Sequence, residues 1–525
     1  MDLKKSKTSI SWGILANYFR IAILLVLSLF YPPFLLSVVH KVDNGILSFA
    51  TSLLQVVTLL SFGVENSYIR FATKREKERG EEGLSKINGS YLVLFSLTSI
   101  LILAVGVMLA FFYKDGLLRI EEVPSTSYDL VFWVILITTF STAIDFFFSL
   151  FMWFEVYRSR FLLHQSALLL MKVLTIGFAC LSLLLGGGIL WVALVTLLLE
   201  IFYGLFNFVF SKKALHMSIS FESIPELKKD LREIFGFSIF IFLTIVVSQI
   251  QNNAGRIILS NTIGATSVTI FSYGLEFYTY AALLSKGVSD TFSPKINSLV
   301  AKGEEEEVSK TFLKASFLQM SILLLLIGGF ALIGRDFLAL WLKNGDLTSA
   351  ELDEIYYIAL FTLLLWSVPL SQSVGIEIQR AKNKHKFLSL SNFCLALLSL
   401  PLSVLLTLYL PESYRIYGPL LGSSFMVVVG YWIFSNTYYK RTLRLPIGQY
   451  FLDFSLLLLI AGISFLIPFL LFYFVPSLGS LNLWASFFLK GILYLLLFAL
   501  FFFLAYWKRI SSLRKNRLLS KEKES

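Results

Sequence analysis

Apolar runs of about 20 residues or more recur along the whole 525-residue chain, and each is long enough to cross a bilayer as a helix. Hydrophobic residues make up 56% of the sequence and charged residues only 15%. A soluble protein of this size would expose far more charge. Because a backbone in lipid must satisfy its own hydrogen bonds, the runs predict an all-α integral membrane protein.

The runs divide into fourteen predicted transmembrane helices. In chain order they are Ile10–Val39, Ile46–Phe71, Ile87–Tyr113, Leu130–Val156, Phe161–Leu185, Ile189–Phe210, Phe235–Ser260, Ser267–Phe292, Phe312–Ile333, Ile355–Ile378, Phe387–Leu410, Gly418–Tyr438, Tyr450–Phe474 and Leu483–Trp507.

Lys and Arg lie mainly in alternate segments between the runs, which is how membrane proteins set their orientation. The bias predicts a multi-pass protein of the plasma membrane with both termini in the cytoplasm. It also explains the net charge of +11 without nucleic acid as a partner. The loops at Asn261–Ala265 and Pro476–Asn482 are predicted to be external.

An internal repeat relates the first six spans to the next six. Leu35–Phe71 aligns with Ile258–Ile296, so that Gly63-Val64 matches Gly287-Val288. Parallel repeats are a transporter architecture with the substrate site at the repeat interface. The repeat predicts a six-helix bundle at residues 1–220, a second at 221–446, and two extra helices with a basic tail at 447–525.

Two segments between spans carry patterned charge. Apolar residues from Ile224 to Phe235 share one helical face opposite Lys228, Lys229 and Arg232, which predicts a separate interfacial helix that precedes the second bundle. Arg75–Lys86 mixes charges of both signs and is predicted to be a solvated turn or helix.

A polar stripe interrupts span 7. Gln249, Asn252, Asn253 and Arg256 are spaced i, i+3, i+4 and i+7, so their side chains share one face of a regular helix. A polar face with a cation is costly in lipid, so it is expected to line protein or a water-filled cavity.

Several motifs resemble the polysaccharide flippases of the multidrug/oligosaccharidyl-lipid/polysaccharide (MOP) exporter superfamily. They are Ile263-Gly264-Ala265 with Tyr273, Pro294 and Gly303 before an acidic run, Asp43-Asn44-Gly45, Ser61-Phe62-Gly63-Val64 with Arg70, Ile376–Lys386, and Tyr417-Gly418-Pro419 with Gly422-Ser423. The resemblance covers spans 1–12. It implies two six-helix bundles around a central cavity, and alternating access that moves a lipid-linked saccharide outward.

The resemblance gives the cationic residues of the spans a role. A lipid-linked saccharide carries a phosphate or pyrophosphate, whose oxygens Arg binds well. Arg20 lies about ten residues into span 1 on one face with Asn17, and Arg256 lies near the outer end of span 7. The alternative for Arg20 is that its side chain snorkels to the inner membrane surface, and the alternative for Arg256 is that it anchors the helix at the outer surface.

Further candidates for substrate binding lie on span 8. Glu276 is expected to line the cavity, and the alternatives are a counter-ion for Arg256, a proton or sodium site, and a bundle contact. Lys286 lies near the inner end, where snorkelling is the alternative. The aromatic rings of Tyr273 and Tyr280 are suited to stack on a sugar, and the alternative is that they pack between helices.

Three ionisable residues in spans 4–6 are candidates for ion coupling, with H⁺ or Na⁺ as the coupling ion. Asp145 and Lys172 lie at matching depths in adjacent spans, so they are expected to pair, either as a structural ion pair or as a relay. Glu200 lies in the middle of span 6 and has no evident partner in the sequence.

The sequence carries no sign of catalysis or of a cofactor. It has no phosphate-binding Gly-Lys-Ser/Thr loop, no nucleophile motif and no metal-ligand spacing among its four histidines and two cysteines. The prediction is a flippase that is not an enzyme, with a lipid-linked saccharide and membrane lipid as partners. The alternatives are a cation-coupled drug exporter of the same superfamily and a membrane glycosyltransferase or polymerase.

Overall fold

The computed structural model describes residues 22–116, 120–123, 127–158, 161–479 and 481–522. Arg20 and Asn17, two of the predicted substrate residues, lie outside these ranges. Within them the ordered structure is helical and contains no strand, which confirms the all-α prediction for this part of the chain.

The helices are numbered α1 to α18 in chain order. They are α1 Ala22–Val38, α2 Lys41–Val57, α3 Tyr68–Lys114, α4 Tyr128–Tyr157, α5 Phe161–Leu184, α6 Ile189–Lys213, α7 Ile224–Gln249, α8 Gly255–Thr262, α9 Ala265–Lys302, α10 Glu305–Trp341, α11 Ser349–Ser371, α12 Ser373–Ala381, α13 Lys386–Tyr409, α14 Gly418–Met426, α15 Asn436–Arg441, α16 Ile447–Phe474, α17 Pro476–Gly479 and α18 Leu483–Glu522. Short 3₁₀ segments lie at Thr58–Ser61, Val64–Ser67 and Glu412–Tyr417, and π-helices at Ile250–Ala254 and Val427–Ser435.

Among the described residues, 11 helical stretches are long and apolar enough to cross a membrane. A twelfth is added if Ile224–Ile239 and Phe242–Thr262, which are bent by 51° relative to each other, form one span. The helices over predicted spans 1 and 8 are not in this set: α1 is described only from Ala22, and α9 falls outside it. The chain therefore has a multi-pass membrane fold, and the count of fourteen stays a prediction.

Span 2 is not the continuous helix that was predicted for Ile46–Phe71. It breaks at Phe62 and Gly63, which both have left-handed backbone angles, with φ of 51° and 66°. Two such residues in a row cannot continue a right-handed helix. The chain resumes as a 3₁₀ turn and then as α3.

The charged stretch Arg75–Lys86 is not an isolated solvated segment. It is part of α3 and bends at Gly80, where φ is 64°. The Arg75 guanidinium pairs with the buried carboxylate of Asp230 on α7, and the Ser90 hydroxyl donates to the same carboxylate at 3.2 Å. A buried carboxylate requires such partners, so this part of the charged stretch holds α3 against α7.

The amphipathic segment from Ile224 to Phe235 lies at the start of α7, which extends to Gln249. Ile224–Ile239 is bent by 51° relative to Phe242–Thr262, and a separate interfacial helix stays a prediction. Pro225 lies at the start of α7, where its fixed φ and missing N–H are tolerated.

The described structure divides into two compact units. Unit 1 takes in the chain up to Tyr273 with Asn344–Leu347 and His385–Gly430, and unit 2 takes in Gly274–Lys343, Thr348–Lys384 and the chain from Tyr431 onwards. The predicted bundle boundaries at residues 220 and 446 follow the repeat rather than these contacts, and they stay a prediction.

Unit 1 contains close backbone contacts that only glycine allows. A Cβ on Gly45 of α2 would lie 2.0 Å from the carbonyl oxygen of Ala265 at the start of α9. Gly264 has a φ of 144°, and the Glu122 carboxylate lies against it and accepts from the Thr266 N–H at 3.0 Å. The carboxylate thus caps the positive end of α9, and Gly45 and Gly264 account for two of the family-like motifs.

In unit 2, α16 and α18 pack against α10. The buried Tyr494 hydroxyl of α18 donates to the Leu325 carbonyl at 2.9 Å, and Lys490 pairs with Asp336 at 2.7 Å. A buried tyrosine needs such a partner for its hydroxyl. The two C-terminal spans are therefore an integral part of unit 2.

We predict that a cysteine placed at Ser480, within the segment Pro476–Asn482 that the sequence predicts to be external, is labelled by a membrane-impermeant maleimide from outside intact cells. The reason is that Lys and Arg lie mainly in the segments that are predicted to be cytoplasmic, which makes this segment external. Cys180 and Cys394 are first replaced by serine, so that the introduced thiol is the only one. A cysteine at Ser525 is the control and should label only after permeabilisation. If the Ser480 position also needs permeabilisation, the predicted topology is wrong.

Candidate functional site

The polar stripe predicted for span 7 lies where the helix changes type. Gln249 ends α7, and Asn252 and Asn253 lie in the π-helix Ile250–Ala254. The Asn253 side-chain amide donates to the Gln249 side chain at 2.5 Å, and Asn252 donates to the Ser248 hydroxyl at 3.3 Å. Single π-turns in α-helices are frequent at functional sites, because the wider turn redirects side chains and carbonyls.

Arg256 lies on the first turn of α8 and is half-buried. Its Nε donates to the Ser272 hydroxyl of α9 at 2.8 Å, and its Nη1 donates to the Asn252 carbonyl at 2.9 Å. These two hydrogen bonds fix the orientation of the guanidinium. An oriented guanidinium can form two parallel hydrogen bonds to a phosphate or carboxylate.

A second helix contributes to the polar stripe, and the sequence interpretation missed it. The Gln249 amide donates to the Gln55 side chain of α2 at 3.4 Å, and Gln55 is exposed. Thr51, one turn earlier on α2, is exposed as well. Thr51 and Gln55 are four residues apart in an apolar span, and this spacing could have identified the polar face of α2 from the sequence.

Tyr273 is positioned as a structural bridge. Its hydroxyl donates to the Pro32 carbonyl at 2.8 Å and accepts from the Asn44 amide at 2.9 Å, and only 4% of the residue is exposed. The ring therefore ties α9 to α1 and α2. This geometry favours packing, and sugar stacking by Tyr273 stays a prediction.

The other candidates on α9 lie in unit 2. Glu276 and Tyr280 are half-buried, and Lys286 is exposed. The neighbouring Ser285 and Ser289 are buried and accept hydrogen bonds from the Gln319 side chain of α10. Lys286 thus lies on a face of α9 that the unit leaves uncovered, and its role in binding stays a prediction.

Asp145 and Glu200 come together in unit 1. Both line one pocket between α4 and α6 with about 190 Å³ of empty space. The pairing of Asp145 with Lys172 stays a prediction. Lys172 interacts electrostatically with Glu200, a neighbour that the sequence did not reveal.

Glu65 is a further acidic residue of this region that the sequence interpretation missed. It lies in the 3₁₀ turn Val64–Ser67, where span 2 is broken, and interacts electrostatically with Asp145. The helix break places this half-buried side chain differently from a continuous helix. Gly63, two residues before Glu65, was the available signal.

Metal binding is not supported at this pocket. In the described ranges there is no group of three or more His, Cys, Asp or Glu side chains arranged to hold a metal ion. The carboxylates have a lysine, a tyrosine and an asparagine as neighbours instead. Such groups can exchange protons and stabilise one another's charge.

Known structures with this fold are membrane transporters. The chain is similar to the lipid II flippase MurJ in an inward closed conformation, with a TM-score of 0.70 and 17% identity over 95% of this chain and 99% of that chain. It is also similar to an inward-facing multidrug resistance MATE family transporter of the MOP superfamily, with a TM-score of 0.61 and 14% identity over 83% and 98% of the two chains.

A MOP superfamily transporter from Pyrococcus furiosus has a TM-score of 0.56 at 14% identity, over 82% of this chain and 96% of that chain. No protein-family model and no curated protein matches the chain. The chain has a MOP-like fold. The solved structures named above are transporters and a flippase, and that this chain is not an enzyme stays a prediction.

We predict that Ser272→Ala lowers transport about tenfold while leaving the protein level in the membrane unchanged. The substitution removes the hydroxyl that orients Arg256, and a hydrogen bond to a charged group is worth about 1.5–3 kcal/mol. Ser272→Thr keeps the hydroxyl and should restore most of the activity.

Ser267→Ala is the matched control for this experiment, because Ser267 is also buried near the start of α9. Transport by the Ser272→Ala variant that equals transport by the control would mean that Ser272 does not orient a working Arg256.

Proposed function

We propose that this protein moves a polyprenyl-(pyro)phosphate-linked saccharide from the cytoplasmic to the outer leaflet by alternating access. The observation that carries the proposal is Arg256, held by Ser272 and a backbone carbonyl within a polar π-helical segment. An oriented guanidinium inside an apolar protein suits an anionic substrate group. Its charge offsets part of the phosphate desolvation, which costs several kcal/mol or more.

The extent of the structural similarity supports a flippase. The lipid II flippase matches this chain over nearly its full length, whereas the multidrug transporter leaves about a sixth of this chain unmatched. In this chain, α16 and α18 follow the proposed repeat and pack on α10. We place two six-helix bundles around a central cavity, with these two helices added.

Each bundle would contribute one cation near its start. Arg20 belongs to span 1, and Arg256 belongs to span 7 toward the predicted outer side. Two cations at different depths suit an anion that passes from one leaflet to the other. Asn17, Gln249, Asn252 and Asn253 would add polar contacts, and Glu276, Tyr280 and Lys286 would line the cavity from span 8.

An ion gradient is proposed to drive the transport. Asp145, Lys172 and Glu200 form the coupling region, and Glu65 joins them. The protein would lie in the plasma membrane with both termini in the cytoplasm, and its coupling ion would be H⁺ or Na⁺.

Cation-coupled export of small molecules is the second candidate function. The acidic pocket in unit 1 favours it, because carboxylates in the membrane attract cationic compounds and coupling ions. The MOP-like fold accommodates both functions.

Removal of the protein from its host tests the proposed function. Lipid-linked saccharide should accumulate on the inner leaflet, and the corresponding surface polymer should disappear. Unchanged polymer together with new sensitivity to cationic drugs would contradict the flippase and support the exporter.

We predict that Arg20→Ala and Arg256→Ala each reduce polymer export severely at normal protein levels. Arg→Lys at either site keeps the charge but loses the planar two-pronged geometry, so it should rescue only partly. Export and membrane protein level are measured together. Normal export by both alanine variants would exclude the cation mechanism, and loss of the protein would assign both residues a structural role.

We also predict that vesicles with the purified protein and no ion gradient equilibrate the substrate but do not accumulate it. No nucleotide-binding motif occurs in the sequence, so the chain itself cannot use ATP. Asp145→Asn and Glu200→Gln keep the shape of each side chain and should abolish gradient-driven accumulation while equilibration remains. Accumulation against a substrate gradient without any ion gradient would contradict ion coupling.

A further inference from the structure

Below the acidic pocket, the interface between α4 and α6 contains buried polar atoms that lack hydrogen bonds. Glu155, near the end of α4, is 0% exposed, and neither of its carboxylate oxygens has a partner in the described structure. The Tyr203 hydroxyl and the Asn207 side chain of α6 lie at the same interface and interact with each other. Buried polar groups are normally paired, so a buried carboxyl with two unpartnered oxygens requires an explanation.

These groups connect two depths of the membrane. Tyr203 and Asn207 line the pocket that also holds Asp145 and Glu200, and Tyr203 interacts electrostatically with Glu155. Asp145 and Glu155 are ten residues apart on one helix, which is about 15 Å. That is about half the thickness of the hydrocarbon layer. The polar groups therefore extend from the acidic pocket towards the predicted cytoplasmic end of α4.

The inner end of this interface is tightly held and lies next to charged groups. The Ser211 hydroxyl of α6 donates to the Phe151 carbonyl of α4 at 3.0 Å. Immediately after Glu155, the Tyr157 hydroxyl donates to Glu76, and Arg158 pairs with Glu76 and Glu81. Glu155 is thus the last buried carboxyl before a charged surface.

We propose that Glu155 binds a proton and is the inner end of a proton route that runs past Asn207 and Tyr203 to Asp145 and Glu200. This inference rests on the proposed function and identifies its coupling ion as H⁺ rather than Na⁺. A carboxylate without a partner in an apolar interface is very unfavourable when charged, whereas the protonated carboxyl is not. A sodium ion would need several oxygen ligands, and the two oxygens of Glu155 alone do not supply them.

The transfer changes no bond between heavy atoms. Glu155 releases its proton to cytoplasmic water. The Tyr203 hydroxyl, which lines the pocket and interacts with Glu155, passes its proton to Glu155 and regains one from Asp145 or Glu200. The pocket has room for about one water molecule that can carry this proton. The titratable and charged groups around the route are Glu65, Lys172, Tyr203, Glu76 and Arg158.

Infrared difference spectroscopy of the purified protein in lipid tests the proposal without any saccharide. A protonated carboxyl has a C=O stretch that deuterium exchange shifts. Wild type should show this band and lose it as the pH rises, and Glu155→Gln should lack one carboxyl's share of it. Glu304→Gln, in an exposed turn, is the matched control and should not alter the band. Glu155→Asp keeps a carboxyl group and should restore the band. It also tests the proposal if the Glu155→Gln variant does not fold.

Replacement of choline by sodium at constant pH is the second arm of the experiment. The band should not change, because the site binds a proton. Loss of the band on addition of sodium, or identical spectra for wild type and Glu155→Gln at every pH, would overturn the proposal.

Gradient-driven substrate accumulation in vesicles links Glu155 to transport. Glu155→Gln should lose the accumulation that a proton gradient drives in wild type and keep equilibration, and full accumulation by this variant would overturn the proposal. A wild-type protein that moves no lipid-linked saccharide but keeps the Glu155 band would refute the proposed function instead. The two failures are therefore distinguishable.

Discussion

The cost of placing polar groups in hydrocarbon governs this structure. A bilayer offers no hydrogen bonds, so each polar or charged side chain in a span must find a partner in the protein or face water. Arg256 has the Ser272 hydroxyl, Tyr273 has Pro32 and Asn44, and Lys490 has Asp336. Where partners are missing, as at Glu155, the same cost points to a transferable proton. Structure and proposed function thus follow from one constraint.

The same constraint explains how much of the fold was predictable from sequence. Long apolar runs must become helices in lipid, and the helices found lie over the predicted spans. The structure differs from the predicted helices where local backbone conformation interrupts a regular α-helix. Phe62 and Gly63 break span 2, and Ile250–Ala254 forms a π-helix. A hydropathy profile averages over a window of about 19 residues, so it does not show a helix that breaks or widens at one or two residues.

The candidate site was predictable only in part. The stripe from Gln249 to Arg256 could be read from helical spacing, because its members are close in sequence. Its contacts with Gln55 and Ser272 depend on the packing of distant segments. Depth matching placed Asp145 beside Lys172, but the structure places it beside Glu200 because α4 packs against α6 more extensively than against α5. The depth of a residue along its helix shows how far it lies from the membrane surface. It does not show which other helix lies beside it.

Direct observation of lipid translocation tests the central claim. The purified protein is placed in vesicles that contain a polyprenyl-pyrophosphate-linked saccharide with a labelled sugar, and an impermeant glycosidase outside reports each molecule that becomes accessible. The account predicts that the enclosed pool becomes accessible much faster than in protein-free vesicles, and that Arg256→Ala returns the rate towards that background. A wild-type rate equal to the protein-free background, in vesicles that do transport a cationic dye, would contradict the account and identify the protein as an exporter of small molecules.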